Sequence, residues 1–200
     1  MSRCLRRPIV GEREARMDLS GSLLIAMPSM ADPRFERSLV LICAHSPDGA
    51  MGLVINKPVE DLSFAGMLEQ LNIPRAPNGR DIRVHLGGPM ERGRGFVLHS
   101  PDYMSVGATM LVSGKFGMTA TVDILEALAR GQGPSSALMA LGYSGWGPGQ
   151  LEAEVQRNDW LTAEAPSELV FSDDDPGKWT GMLRHMGIDP LTLSSTAGHA

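Results

Sequence analysis

"LVLICAHSPDGAMGLVI", residues 39–55, sets two short apolar runs on either side of Ser46, Pro47, Asp48 and Gly49. The runs at 39–44 and 51–55 are continuous and partly β-branched, the pattern of strands buried on both faces. Ser46 to Gly49, between them, have turn chemistry, so the stretch predicts a hairpin. A hairpin this early breaks simple βαβ alternation. It points to an α+β domain.

Working outward, "LLIAM" (23–27) predicts a strand before the hairpin, joined to it by the polar loop "PSMADPRFERS". Beyond the hairpin, Phe64, Met67, Leu68 and Leu71 follow helical spacing, with Asp61 available as a cap. "IRVHL" (82–86), "GFVLH" (95–99) and "ATMLVS" (108–113) read as strands. A helix starting at Thr119 or Thr121 would bury Val122, Leu125 and Ala129 and stop at Gly131. "SALMALGYS" (136–144) reads as a strand, 148–157 as a helix and "WLTAEA" (160–165) as a short strand, while "ELVF" (168–171) is ambiguous. Asp175 as cap, Pro176 at the first position, Trp179, Met182, Leu183 and Met186 as buried face, and Gly187 as stop predict a final helix. The expected architecture is one mixed, largely antiparallel sheet with about four flanking helices.

The 200 residues suit a single domain, 42% hydrophobic and 20% charged. No apolar run approaches the ~20 residues of a membrane helix. Only Cys4 and Cys43 are present, which excludes a disulfide framework and suits a reducing cytoplasm. Residues 1–16, "MSRCLRRPIVGEREAR", are read as a disordered basic arm or as sequence upstream of a true start at Met17. The domain then covers 17–190 and a loose tail 191–200. The arm's five arginines and two glutamates make it +3, so a total of −5 leaves −8 for residues 17–200. That balance disfavours direct nucleic-acid binding.

Three constellations carry candidate chemistry. Gly142-Tyr143-Ser144-Gly145-Trp146 approaches the G-x-S-x-G elbow of serine hydrolases, and Ser144, residues 173–175 and His185 follow the nucleophile–acid–base order of that fold. Trp146 fills the second glycine position, and a helix beginning only at Pro148 leaves Ser144 short of the helix start. A structural turn explains the run better. Cys43 and His45, two apart on a strand, would share a face and, with His85 and His99, could hold a metal. They lack the tight spacing of zinc motifs, so no metal or other cofactor is expected, and burial would blunt Cys43 as a nucleophile. In "HLGGPMERGRGFVLH" (85–99), Gly87 and Gly88 allow close backbone approach, Arg92 and Arg94 offer forked donors, and His85 and His99 bracket the segment. That suits a carboxylate or phosphate, against the plainer reading of a glycine-rich hairpin with solvated arginines. The acidic run at 173–175 reads as a solvated loop.

Residues 21–58, 86–99 and 142–161 resemble the signature blocks of the AlgH/YqgE family of bacterial proteins, in order, over about 19–191. The resemblance implies a branched sheet curled toward a pseudo-barrel and supports Met17 as the start. It places His45, Asn56, Gly87, Gly88, Pro89, His99, Gly145, Trp146, Gln150 and Glu152 at recurrent positions. The family often has alanine where this chain has Ser144, which argues against a nucleophile there. The family is largely uncharacterised, and members carry the label of transcriptional regulators. No helix-turn-helix is evident here. The expectation is a cytoplasmic regulatory or ligand-binding protein with no catalytic residues assigned. It would take a small anion or a protein partner through residues 87–99 and 145–152. His45, Asn56, Gly87, Gly88, Arg92, Arg94, His99, Trp146 and Gln150 are the candidate binding residues. A Ser144 hydrolase and a direct DNA-binding regulator are the alternatives.

Overall fold

The computed structural model describes residues 18–193. The expectations for the arm 1–16, for a start at Met17 and for residues 194–200 lie outside the described residues. The predicted hairpin forms: β2 (Leu39–Ser46) pairs antiparallel with β3 (Gly49–Val54). On the far side of β2 lie β1 (Ser22–Ala26) and then β9 (Trp160–Glu164), also antiparallel.

On the other side, β3 pairs with the long strand β8 (Ala137–Trp146), followed by β5 (Met90–His99), β7 (Phe116–Thr119) and β6 (Thr109–Val112). β4 (Val84–Leu86) lies off this path, parallel to β8. The sheet therefore forks along β8. The first half of β8 is flanked by β4, while its last residues, Ser144 to Trp146, pair with β3. Gly142 sits at the fork with φ +70°, and a Cβ there would lie 2.5 Å from the Met90 carbonyl oxygen. Only glycine fits that crossing.

Strands buried on both faces are what the continuous apolar runs predict. Leu39 and Leu41 join the central core with Leu23, Leu53 and Leu98, while Val40 and Ile42 face a second cluster with Leu24 and Trp146. A third cluster packs α1 (Phe64–Gln70) and α2 (Val122–Ala129) over β4, β5 and β8, through Phe64, Leu68, Val97, Ile124 and Met139. The curled face is filled by α5 (Asp175–His185), whose Trp179 indole donates to the Ala26 carbonyl. Lys115, beside β7, pairs with Glu164 on β9, so opposite ends of the strand path meet. This is the curled, branched α+β sheet that the family resemblance implies.

Local readings differ in five places. "FGMT" forms β7, because Ser113 (φ 51°) and Gly114 (φ 69°) turn β6 straight back on itself. "ELVF" contributes the short helix α4 (Ser167–Val170), which brings the α-helices to five among the described residues. Ser63, not Asp61, caps α1, and Asp174, not Asp175, caps α5. Leu193, placed in the loose tail, packs against the central core.

Candidate functional site

β8 ends at Trp146, and Gly149, left-handed with φ 70°, starts α3 (Gln150–Gln156). Gln150 and Glu154 lie one helical turn apart, so their side chains share a face. Gln150 ties the turn to the helix: its Oε1 accepts from the Gly147 N–H at 3.0 Å, and its Nε2 donates to Glu154 Oε1 at 2.9 Å. Glu154 Oε2 accepts from two indoles, Trp146 at 2.8 Å and Trp160 at 2.9 Å. The two indole rings stand edge to face with centroids 6.1 Å apart, and Phe35 packs edge-on to Trp160 at 5.5 Å. These residues line a groove of about 370 Å³ with Arg34, Pro89, Met90 and Gly145. Both indole donors are satisfied by one carboxylate, which locks the aromatic wall in place.

Behind α3, His45 Nδ1 accepts from the Leu19 N–H at 3.1 Å, so Nε2 carries the proton donated to Glu152 Oε1 at 3.0 Å. The ring is thereby held in one tautomer. His45 orients α3 without lining the groove.

The remaining sequence candidates disperse. Asn56 is structural: it accepts from the Leu39 N–H at 2.8 Å and donates to the Arg37 carbonyl at 2.9 Å, pinning the start of β2. Residues 85–99 do not form a hairpin, because β4 and β5 flank opposite sides of β8 and the chain must cross it. Gly87 and Gly88 make that crossing. A Cβ on Gly88 would lie 2.1 Å from the Tyr143 carbonyl carbon, so these glycines admit another strand. Gly88 and Arg92 line a smaller recess of about 80 Å³ that shares Arg34, Phe35 and Pro89 with the groove. Arg94 turns away, pairing with Glu91 at 3.3 Å and stacking over Phe96 at 5.1 Å. His99 is fully buried, donating from Nδ1 to the Ser100 carbonyl with Thr119 Oγ1 at Nε2, and burial pushes its pKa down.

Neither alternative chemistry assembles. Ser144 lies inside β8, buried, its hydroxyl donating to the Gly87 carbonyl at 3.4 Å, so there is no strand-to-helix elbow at the serine. Cys43 and His45 do not share a face. The register shift between Ile42 and Ala44 sends Cys43 into the central core and His45 toward α3. Among the described residues no three His, Cys, Asp or Glu groups converge on a metal position.

Sequence reasoning missed a second polar cluster. Asp175, expected in a solvated loop, is buried in the first turn of α5 and accepts from His85 Nε2 at 3.0 Å, from Lys178 at 2.9 Å and from Arg83. Lys178 also donates to the Ile55 carbonyl at 2.9 Å. Burial is the largest influence on Asp175 and raises its pKa, but the hydrogen bonds and charges of His85 and Lys178 together hold it below the ordinary value. Burial pushes Lys178 down. A cavity of about 530 Å³ adjoins Arg83, but its arginines are committed: Arg80 to the carbonyls of Pro134 and Ser135, Arg83 to those of Ser172 and Asp173. The cluster anchors α5 to the sheet.

Fold and site together define an α+β protein with a forked, curled sheet and a preorganised aromatic–carboxylate groove. A family model described as AlgH-like matches residues 23–191, and the chain belongs to that family. A UPF0301 protein of Ruegeria pomeroyi is 57% identical over 191 residues, covering 92% of this chain and all of the relative. One from Jannaschia is 54% identical over 184 residues, covering 92% and 96%. The solution structure of the AlgH protein from Pseudomonas aeruginosa matches with a TM-score of 0.74 and 38% identity, over 94% of this chain and 100% of that one. A crystal structure from Corynebacterium diphtheriae, at 22% identity and TM-score 0.68 over 88% and 89%, shares the fold. None of these names states a substrate or an activity.

Proposed function

We propose that the chain is a cytoplasmic regulatory protein that binds a small charged ligand in the Trp146–Glu154–Trp160 groove and influences transcription indirectly. The observation that carries this reading is the convergence of two indole N–H groups and the Gln150 amide on one carboxylate at the groove wall. Preorganisation of that kind lowers the ordering cost of binding. Of the sequence candidates, Trp146, Gln150, Gly88 and Arg92 belong to the groove and its adjoining recess. Arg92 and Lys57 in that recess support an anionic group at that end of a ligand. A catalytic role for Ser144 finds no support in its buried bond to a carbonyl. Direct DNA binding finds none in the acidic balance of residues 17–200.

Native mass spectrometry of the freshly purified full chain tests the reading. The expected result is a retained small molecule that is lost in Gly145→Leu, where the new side chain enters the groove beside the flexible Met90 thioether, 2.7 Å from an added Cβ. No retained mass, and no thermal shift across a metabolite panel, would reject it.

A further inference from the structure

Among the described residues Glu154 makes no ion pair. Its three partners, Trp146, Trp160 and Gln150, are neutral donors. The cations near it are committed elsewhere: Arg34 to both oxygens of Asp32, and Arg157 to Asp159 at 2.9 Å. A carboxylate offers about four acceptor positions. Three are used here, two on Oε2 and one on Oε1, so Oε1 retains an acceptor position. The rings of Trp146, Trp160 and Phe35 line the same groove, and aromatic rings attract cations within about 6 Å of their centroids.

We infer that the Glu154 end of the groove is a binding site for an organic cation, an ammonium or guanidinium head. The head donates an N–H to Glu154 Oε1 and rests against the indoles. The inference rests on the groove being a ligand site and adds the chemical class of the group it holds. An anion in the same place would meet an unpaired carboxylate, and a neutral apolar group would leave an acceptor unmet. At about 370 Å³ the groove is near the lower end of ligand-pocket sizes, the scale of an amine-bearing small molecule or a single basic side chain.

The chain's three tryptophans make the test specific. Trp146 and Trp160 line the groove, whereas the Trp179 indole is buried against the Ala26 carbonyl and serves as an internal reference. The full chain is titrated with methylguanidinium chloride, against sodium chloride at matched ionic strength and sodium acetate in a parallel arm. The three indole N–H resonances are followed by NMR. The expected result is a saturable shift of Trp146 and Trp160 with Trp179 unmoved, at least tenfold weaker in Glu154→Gln. Gly145→Leu, which keeps the Glu154 carboxylate and fills the groove beside it, is expected to abolish the shift and keeps the test decisive if Glu154→Gln fails to fold. Equal shifts with sodium chloride, or none with either probe, would overturn the inference. A saturable shift from acetate alone would overturn the cationic assignment while leaving the groove as a ligand site.

Discussion

Asp175 shows how much one side chain can carry in this protein. It takes donors from three side chains, Arg83 and His85 at β4 and Lys178 on α5. Removing its charge leaves the buried Lys178 ammonium without a carboxylate, while Arg83 keeps Asp173, so Asp175→Asn is expected to cost about 3–5 kcal/mol in urea denaturation. The same residue sets an acid dependence. A carboxyl whose folded pKa is depressed contributes stability above its unfolded pKa, about 3.9, and loses it as pH falls through the folded value. Wild-type stability should therefore fall as pH drops below about 5, with a flatter profile in Asp175→Asn. Cys43 gives the opposite case, a titratable group silenced by its surroundings. Burial pushes its thiol up to about 12, so little thiolate forms near neutrality. Peptide mapping after iodoacetamide treatment at about pH 8 should find Cys43 unmodified in the folded chain and modified in urea. Modification under native conditions would contradict its place in the core.

At the level of elements, β8 and the segment crossing it organise the molecule. The glycines at 87, 88 and 93 look interchangeable in "GGPMERGRG", yet their surroundings separate them. A Cβ on Gly88 would meet the Tyr143 carbonyl at 2.2 Å, while nothing lies within 4 Å of one on Gly93. Gly88→Ala is expected to destabilise by about 1–3 kcal/mol or more through overpacking. Gly93→Ala should be near neutral, within about 0.5 kcal/mol as for an open surface site. Equal melting temperatures for the two variants would sink this account of the crossing. The elements themselves were mostly legible. Apolar runs located the strands at 23–27, 39–44 and 51–55, and Pro176 with Gly187 bracketed α5. β7 was missed because "FGMT" is short and runs into the cap of α2, although Ser113-Gly114 offered a turn signal. Asp175 was also readable in principle, one turn before Trp179 on the apolar face of α5. An acidic run beside a helix start reads first as a cap.

For the whole molecule, the acidic balance bears on what the protein can approach. A chain with −8 over residues 17–200 repels a polyanion in its mean field. A protein beginning at Met17 should give no retardation of duplex DNA in a gel-shift assay at about 0.15 M salt, and any retention by the full chain at low salt should vanish as salt rises. Sequence-specific, salt-resistant retardation of the shorter chain would overturn indirect regulation. Among the described residues no helix is long and apolar enough to cross a membrane.

By itself the sequence determined the fold class, the family and most elements, because hydrophobic period, turn residues and caps act over a few neighbouring positions. Trp146 stood out in a glycine-bounded turn, and Gln150 was marked only through the family resemblance. Tertiary structure alone decided what those residues do. Glu154, Trp160 and Phe35 come from α3, β9 and the loop after β1, and only the curled sheet brings them around one groove. Gly87 and Gly88 likewise changed meaning, because the need for close approach is set by the strand they cross. The fork at Gly142 that forces this crossing joins segments more than fifty residues apart, beyond the reach of any local pattern.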